Sequence, residues 1–377
     1  MLELTADMYQ TSLDGMLDAL FRPYEENGFW SQSDGRIVRA LHYEASDDGS
    51  LTWSPELEER MRYGPMALMG IAMWRLSEIG TDKYDDKLLR NLIYYRELYK
   101  DPNQLRKLPG YGAGPLVYAL SRLSELWPDE ELNECAMSII DFSLQTYDFR
   151  YNEEALVLMG MGAHFEHLSA DQRSRMKEVS AAIRSHQDAR GLYRTKEHLQ
   201  ALRHQNQMYT IWGLGHGDMA LEQQDTAEGI RRCLQYTVDK RMRPDGALLW
   251  HHYRNWLHHA HSTFHSIFNG RVPERERLFS CHQAFFIYAV QVYRDLTGDR
   301  NAFAEARDNA LRWEYGQNVT GDNLFERNGI GVPIRIVLVS GETETPVDRW
   351  VGVYEIGAMI MCMVKLLEEC RTPQLVP

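Results

Sequence analysis

Cysteine is scarce in this chain: five residues in 377, at Cys135, Cys233, Cys281, Cys362 and Cys370, with no CxxC pair. An odd, scattered set excludes a disulfide scaffold and reads as reduced thiols, the pattern of a cytoplasmic protein. Long apolar runs are missing too. The longest, from about Ile356 to Leu367, is too short to span a bilayer and contains Lys365. The opening residues, MLELTADMYQ, have no basic stretch followed by an apolar one, so no signal peptide is expected. Positive charge is in deficit, with 41 Lys and Arg against 54 Asp and Glu, a net charge of −13. A field of that sign repels phosphate backbones, excludes a general nucleic-acid binder, and weighs against a long polyanionic substrate. The remaining composition, 44% hydrophobic and 25% charged, excludes a disordered chain. Tyrosine, tryptophan and histidine are plentiful, at 20, 9 and 14 residues, and suit a polar, stacking pocket as well as a core.

The chain repeats itself. Five segments join the end of one helix to an acidic residue that opens the next: LSEIGTDKYDDKLL, LSELWPDEELNECA, EHLSADQRSRMKEV, ALEQQDTAEGIRRC and DLTGDRNAFAEARD. Asp82, Asp129, Asp171, Asp225 and Asp299 fall at these junctions, where a carboxylate accepts hydrogen bonds from free helix amides and complements the dipole. Before the junctions lie stretches apolar almost all round, beginning near Tyr63, Tyr111, Tyr151, His204, Cys281 and Trp350; YGPMALMGIAMW and VYEIGAMIMCM are examples. That is the mark of a buried helix, and its glycines permit close packing. After the junctions lie amphipathic stretches such as DQRSRMKEVSAAIRSH, with another over Ala6 to Leu20. Turns carrying Gly and Asp follow several outer helices, in HQDARGLYR, RMRPDGALLW and GQNVTGDNLFERNG, and HYEASDDGSLTW is similar. VPIRIVLVSGE is the best strand candidate.

This alternation of about six buried and six outer helices resembles the all-α (α/α)6 toroid, in which an inner ring of helices is enclosed by an outer one. The resemblance covers nearly the whole chain and implies a single domain over residues 1–377, with short hairpin-like loops at one mouth. A His-rich insertion from about Arg241 to Phe279 departs from the repeat. Toroids of this kind include glycoside hydrolases, polysaccharide lyases, sugar epimerases, terpene cyclases and prenyltransferase subunits, so the fold alone does not give the function.

In a toroid the inner helices run the same way, so their N-terminal ends share a mouth. The polar residues there are Arg62 and Tyr63; Tyr111; Tyr151, Asn152, Glu153 and Glu154; His204, Gln205, Asn206 and Gln207; His282 and Gln283; and Arg349, Trp350, Tyr354 and Glu355. Rings that stack on pyranoses and amides that bond hydroxyls make the mouth a candidate sugar pocket; the plainer reading is helix capping. Glu355 lies one turn inside an apolar helix, where burial raises a carboxyl pKa and suits a general acid. Glu154 or Asp348 is the candidate base, which together predict an inverting glycoside hydrolase acting on an oligosaccharide. Tyr63, Tyr111, Tyr151, His204, Gln207, Tyr209, His282, Gln283, Arg349, Trp350 and Tyr354 are the candidate substrate contacts.

Other chemistries stay open. HQNQMYTIW resembles helix starts of toroid alginate lyases and implies a uronate lyase or epimerase working through His204, Asn206 and Tyr209. DARGLY and RPDGALLW resemble the repeats of squalene-cyclase-like domains, but no DxDD or DDxxD motif accompanies them. Cys281-His282 resembles the adjacent ligands of lanthionine-synthetase-like toroids, without their flanking glycine. A toroid that binds a saccharide or protein segment without turnover is the remaining class. Six histidines fall between His251 and His265, and on a helix His258, His261 and His265 share a face with zinc-ligand spacing. With no Cys or carboxylate nearby, the run reads as a loop bordering the pocket. No metal or cofactor is expected, and His216 and Asp218 are read as structural.

Overall fold

The computed structural model describes residues 2–46, 50–57, 63–149, 152–193, 202–249, 251–252, 256–270, 272–273, 276–327, 329–341 and 349–371. From the N-terminus the chain runs through α1 (Ala6–Phe21), β1 (Ala40–Ala45), β2 (Leu51–Pro55), α2 (Gly64–Leu76), α3 (Asp85–Lys100) and the short α4 (Pro102–Leu105). It continues with α5 (Gly110–Leu123), α6 (Glu130–Thr146), a 3-10 turn (Asn152–Ala155), α7 (Leu156–Ala163), α8 (Ala170–Ser185), β3 (Leu202–Arg203) and α9 (His204–Ala220). Then come α10 (Ala227–Arg241), β4 (His251–His252), α11 (Trp256–Phe268), β5 (Arg277–Phe279), α12 (Ser280–Thr297) and α13 (Ala304–Glu314). The last elements are β6 (Ile336–Leu338), β7 (Trp350–Gly352) and α14 (Val353–Arg371).

Helices α2, α5, α7, α9, α12 and α14 each pack on the next, and α14 closes back on α2. The result is an inner ring of six, with α1, α3, α6, α8, α10 and α13 outside it. Inner-ring composition explains the closure. Every residue of α2 from Gly64 to Trp74 is buried, and so is every residue of α14 from Val353 to Val364. Where these two helices cross, a Cβ on Gly70 would lie 2.5 Å from the Gly357 carbonyl oxygen, so only a bare backbone allows the approach. Outer helices bury one stripe, as α3 does with Leu88, Leu92, Tyr95 and Tyr99. The larger hydrophobic cluster extends from Tyr9 on α1 to Leu367 on α14, and a smaller one gathers Ala247, Leu278, Trp313, Leu324, Ile334 and Val337. Among the described residues no helix is long and apolar enough to cross a membrane.

The junction chemistry follows the expected pattern in part. Asp129 caps α6 by accepting from the Glu131 amide at 2.9 Å. At α8 the cap is Ser169, paired with Gln172 in a capping box, and Asp171 lies inside the first turn. The amide of Thr226, at the start of α10, is bonded instead by Asp218 of the preceding inner helix, at 2.7 Å.

Three small antiparallel sheets stand at the N-terminal ends of the inner helices. β1 pairs with β2 and with β7, matching Leu41 to Pro55 and to Val351, and β7 leads directly into α14. β3 pairs with β4 and leads into α9; β5 pairs with β6, Leu278 opposite Val337, and leads into α12. The strand expected in VPIRIVLVSGE is thus β6. The Gly/Asp turns close through single bridges, Gln187 to Tyr193, Met242 to Leu248 and Tyr315 to Asn323. Gly191 and Gly246 take φ of +88° and +93° in the first two, a conformation that favours glycine. Two expected helix starts are displaced. Residues 152–155 form the 3-10 turn before α7, and Trp350 lies in β7, ahead of α14.

Candidate functional site

The first turn of α14 carries Tyr354 and Glu355 into the ring. Glu355 is buried. Its Oε1 accepts from Arg335 Nε at 3.0 Å, and its Oε2 accepts from the Gly352 amide at 3.3 Å. Burial raises its pKa above the ordinary carboxylate value, against the opposing pull of the Arg335 charge and the donated hydrogen bonds, that of the Cys281 thiol among them. Arg335 reaches it from just before β6. Its guanidinium lies 3.8 Å from the Trp350 ring centre and 5.2 Å from that of Phe279. A planar cation between two rings is held at both faces, which fixes it for a carboxylate partner.

An aromatic floor continues from this pair. Tyr63, just before α2, stacks on Tyr354 at 4.8 Å, and Tyr111 of α5 lies 5.8 Å from Tyr63. The Tyr354 hydroxyl is hydrogen-bonded to Tyr209 of α9, and burial drives both phenols well above their ordinary pKa. Phe285 of α12 packs against both rings, at 5.6 and 5.4 Å. At the rim, the Arg39 guanidinium lies 5.1 Å from the Tyr63 ring and 5.8 Å from the Trp350 ring while paired to Glu56. His42 bonds the other Glu56 oxygen at 3.1 Å. Rings from α2, α5, α9, α12 and α14, with the flanking β7, thus converge around one buried carboxylate.

The 3-10 turn before α7 carries the adjacent acids Glu153 and Glu154, which point in different directions because successive residues there are about 120° apart. The Glu153 charge acts on Tyr209, at the floor of the cluster. Glu154 is buried and packs against Gly110 at the start of α5, and both acids act on Tyr147, whose hydroxyl bonds the Leu108 carbonyl. Glu153, half-buried, is the more open of the two acids. Asp348 and Tyr151, along with Arg62, lie outside the described residues.

Several expected substrate contacts have other partners. Gln207 accepts from the Tyr193 amide and donates to the Tyr193 carbonyl, both at 2.8 Å, so its whole amide clasps the turn after α8. Gln283, its counterpart as fourth residue of α12, is oriented by its neighbours to donate to Gly246 O at 3.3 Å and accept from Leu248 N at 3.1 Å. It clasps the turn after α10 in the same way. His204 is fully buried, with Nε2 donating to the His282 carbonyl at 3.1 Å, and burial, with the nearby Arg241 charge, lowers its pKa to about 3. The imidazole is neutral at physiological pH and bound to backbone. His282 is buried too, its ring 5.3 Å from that of His204 and 5.0 Å from that of Phe279. Arg349 is half-buried and its carbonyl accepts from the Tyr43 amide at 3.0 Å. Gln205 and Asn206, half-buried at the start of α9, are nearer the open edge.

At the far end of the ring His216 bonds the Tyr288 hydroxyl at 3.0 Å, and burial lowers its pKa to about 4. In the insertion, α11 places the His261 and His265 rings 6.3 Å apart, and both residues are exposed; the His258 side chain lies outside the described set.

Sequence reasoning missed Arg335, Arg39 and Glu314. The arginines stand in loops without periodicity, and their partners are distant in sequence. Glu314 ends an otherwise amphipathic helix, yet it is wholly buried and its charge acts on Cys281, beside Glu355.

No protein-family model and no curated protein matches the sequence. The closed ring of six helices inside six others defines an (α/α)6 toroid, and solved structures share it. Cellobiose 2-epimerase from Bacillus thermoamylovorans is similar over 97% of this chain and 99% of its own, with a TM-score of 0.67 and 11% identity. Unsaturated glucuronyl hydrolase from Bacillus sp. is similar over 96% of each chain, with a TM-score of 0.63 and 13% identity. An alpha-1,6-mannanase from Salegentibacter sp. is similar over 96% of this chain and 99% of its own, with a TM-score of 0.60 and 10% identity. At these identities the likeness is one of fold.

Proposed function

We propose that the protein is a carbohydrate-active enzyme, an inverting glycoside hydrolase acting on an oligosaccharide at the strand-flanked mouth of the ring. The observation that carries this reading is Glu355, a buried carboxyl of raised pKa set among Tyr63, Tyr354 and Trp350. Burial favours the protonated form, and Glu355 gives its proton to the glycosidic oxygen as the bond breaks. The carboxylate left behind is then stabilised by Arg335 at 3.0 Å and by the Gly352 amide. The base that activates water on the other face of the sugar is an acid of the turn before α7, Glu154 or its neighbour Glu153, and the tyrosine and tryptophan rings stack on the pyranose. Three toroids of the same fold, an epimerase and two hydrolases, work on sugars by name, which supports the substrate class. Elimination or epimerisation through tyrosine is the less favoured reading, because burial holds the Tyr209 and Tyr354 phenols protonated and His204 is bound to backbone. An isoprenoid cyclase would want a dry aromatic floor, and this one holds a carboxylate and a guanidinium.

The test is Glu355→Gln, assayed by reducing-end release over a panel of neutral oligosaccharides. Release falls by about 10³-fold or more while thermal unfolding is retained. A variant that keeps a tenth of the wild-type rate removes Glu355 from the mechanism. Wild-type product absorbing in the ultraviolet from a new double bond replaces hydrolysis with elimination.

A further inference from the structure

Helix α11, in the insertion, turns large apolar side chains outward. Ser266 is buried beneath it, while Leu257, Phe264, Ile267 and Phe268 are 56%, 61%, 57% and 86% exposed. These are the four most exposed large hydrophobic residues among those described. Leu257, Phe264 and Phe268 recur at i, i+7 and i+11, with Ile267 beside them and the exposed His261 and His265 on the same side. They form one stripe opposite Ser266. Sequence alone would read an apolar stripe as the core-facing side; here it faces outward.

We infer that this stripe is a self-association surface, on which a second copy of the chain packs its own α11 about a two-fold axis. Charge selects the occupant. Trp256–Phe268 contains no Asp, Glu, Lys or Arg, in a chain whose net charge is −13. An anionic lipid surface would be repelled by the body of the protein and finds no cationic anchor on the helix. A charged partner likewise finds no complementary group. An identical, uncharged stripe adds no like-charge contact of its own to the repulsion between the two bodies.

Size and symmetry agree. A fully exposed side chain of this size presents roughly 150–200 Å², so the four leave about 400–500 Å² of apolar surface, as large as patches that mark interaction sites. Two such faces bury about 800–1,000 Å², at the lower edge of what a specific interface buries. A two-fold contact is self-complementary: antiparallel helices about 20 Å long set Phe268 against the partner's Leu257, with Phe264 near the axis.

The experiment is sedimentation velocity and light scattering on the full chain, from about 1 to 100 μM, because a dimer is populated by mass action. The wild-type chain is expected to approach twice 43.9 kDa as concentration rises. A Phe264→Glu, Phe268→Glu double variant is expected to stay at 43.9 kDa. Both side chains are exposed in the single chain, so the variant should keep its circular dichroism and melting temperature; Phe264→Ser and Phe268→Ser give a milder pair if it does not. A wild-type chain that is monomeric throughout overturns the inference, as does a double variant that still dimerises. A monomeric wild-type chain that floats with neutral phosphatidylcholine vesicles assigns the stripe to lipid instead.

Discussion

Glu314 shows what burial does to an acid in this toroid. It ends α13, is wholly buried, and among the described residues no cation or backbone amide reaches its carboxyl oxygens. The Ser280 hydroxyl faces it but gives its proton to the Ile334 carbonyl. A carboxylate at this place would have no donor, whereas the protonated acid can itself donate to the Ser280 oxygen. Burial accordingly drives its pKa well above the usual range. In the unfolded chain the same group titrates near 4.3, so in between the unfolded state releases a proton that the folded state keeps. Its contribution to stability is therefore fully present below about pH 4 and is lost as pH rises toward the folded value. Glu314→Gln keeps the shape of the protonated acid and cannot ionise. Relative to wild type, the variant should gain up to about 1.4 kcal/mol for each pH unit between the unfolded and the folded value. Urea unfolding at pH 5, 6 and 7 measures the gap, and groups that titrate equally in both proteins cancel from it. A gap that stays constant across these three pH values would refute the buried, protonated acid.

Two further outcomes separate the roles assigned at the mouth. Arg335→Met removes the charge that opposes burial at Glu355, so its pKa rises further. The alkaline limb of the pH–rate profile, where the acid loses its proton, should then move up by about 1 unit or more, read from kcat against pH. An unmoved limb would mean that Glu355 is not the titrating acid. Gln207→Leu leaves the Tyr193 amide and carbonyl without their partner, which should cost about 2–4 kcal/mol in urea unfolding while kcat/KM changes less than twofold. A large rise in KM with stability unchanged would return Gln207 to the substrate.

The starts of the inner ring were readable because each is a local event. Stretches apolar on every side can only be buried, and Tyr63, Tyr111, His204 and Cys281 each fall within one residue of the observed starts of α2, α5, α9 and α12. The two misplaced starts have local causes that hydrophobicity does not register. A 3-10 turn has the same apolar content as the helix that follows it, and β7 exists only because β1, some 300 residues earlier, pairs with it. The candidate site was readable to the extent that Glu355, Tyr63, Tyr354 and Trp350 belong to helix starts or the residues leading into them.

By itself, then, the sequence determined the alternation of helices, their approximate boundaries and the mouth at which polar residues gather, since periodicity and composition act through neighbours along the chain. Which polar group is engaged, and with what, was decided by the tertiary structure. Gln207 and Gln283 look like ligand-binding amides in the sequence, and become clasps on turns only when α9 and α12 meet those turns in space. Glu153 and Glu154 are indistinguishable as letters and differ in the packing around them. Glu355 acquires Arg335 from a loop twenty residues away, and Glu314 acquires no cation among the described residues, so burial raises the second acid with no opposing charge beside it. Desolvation and pairing depend on what surrounds a group on all sides, and only the closed ring supplies those sides.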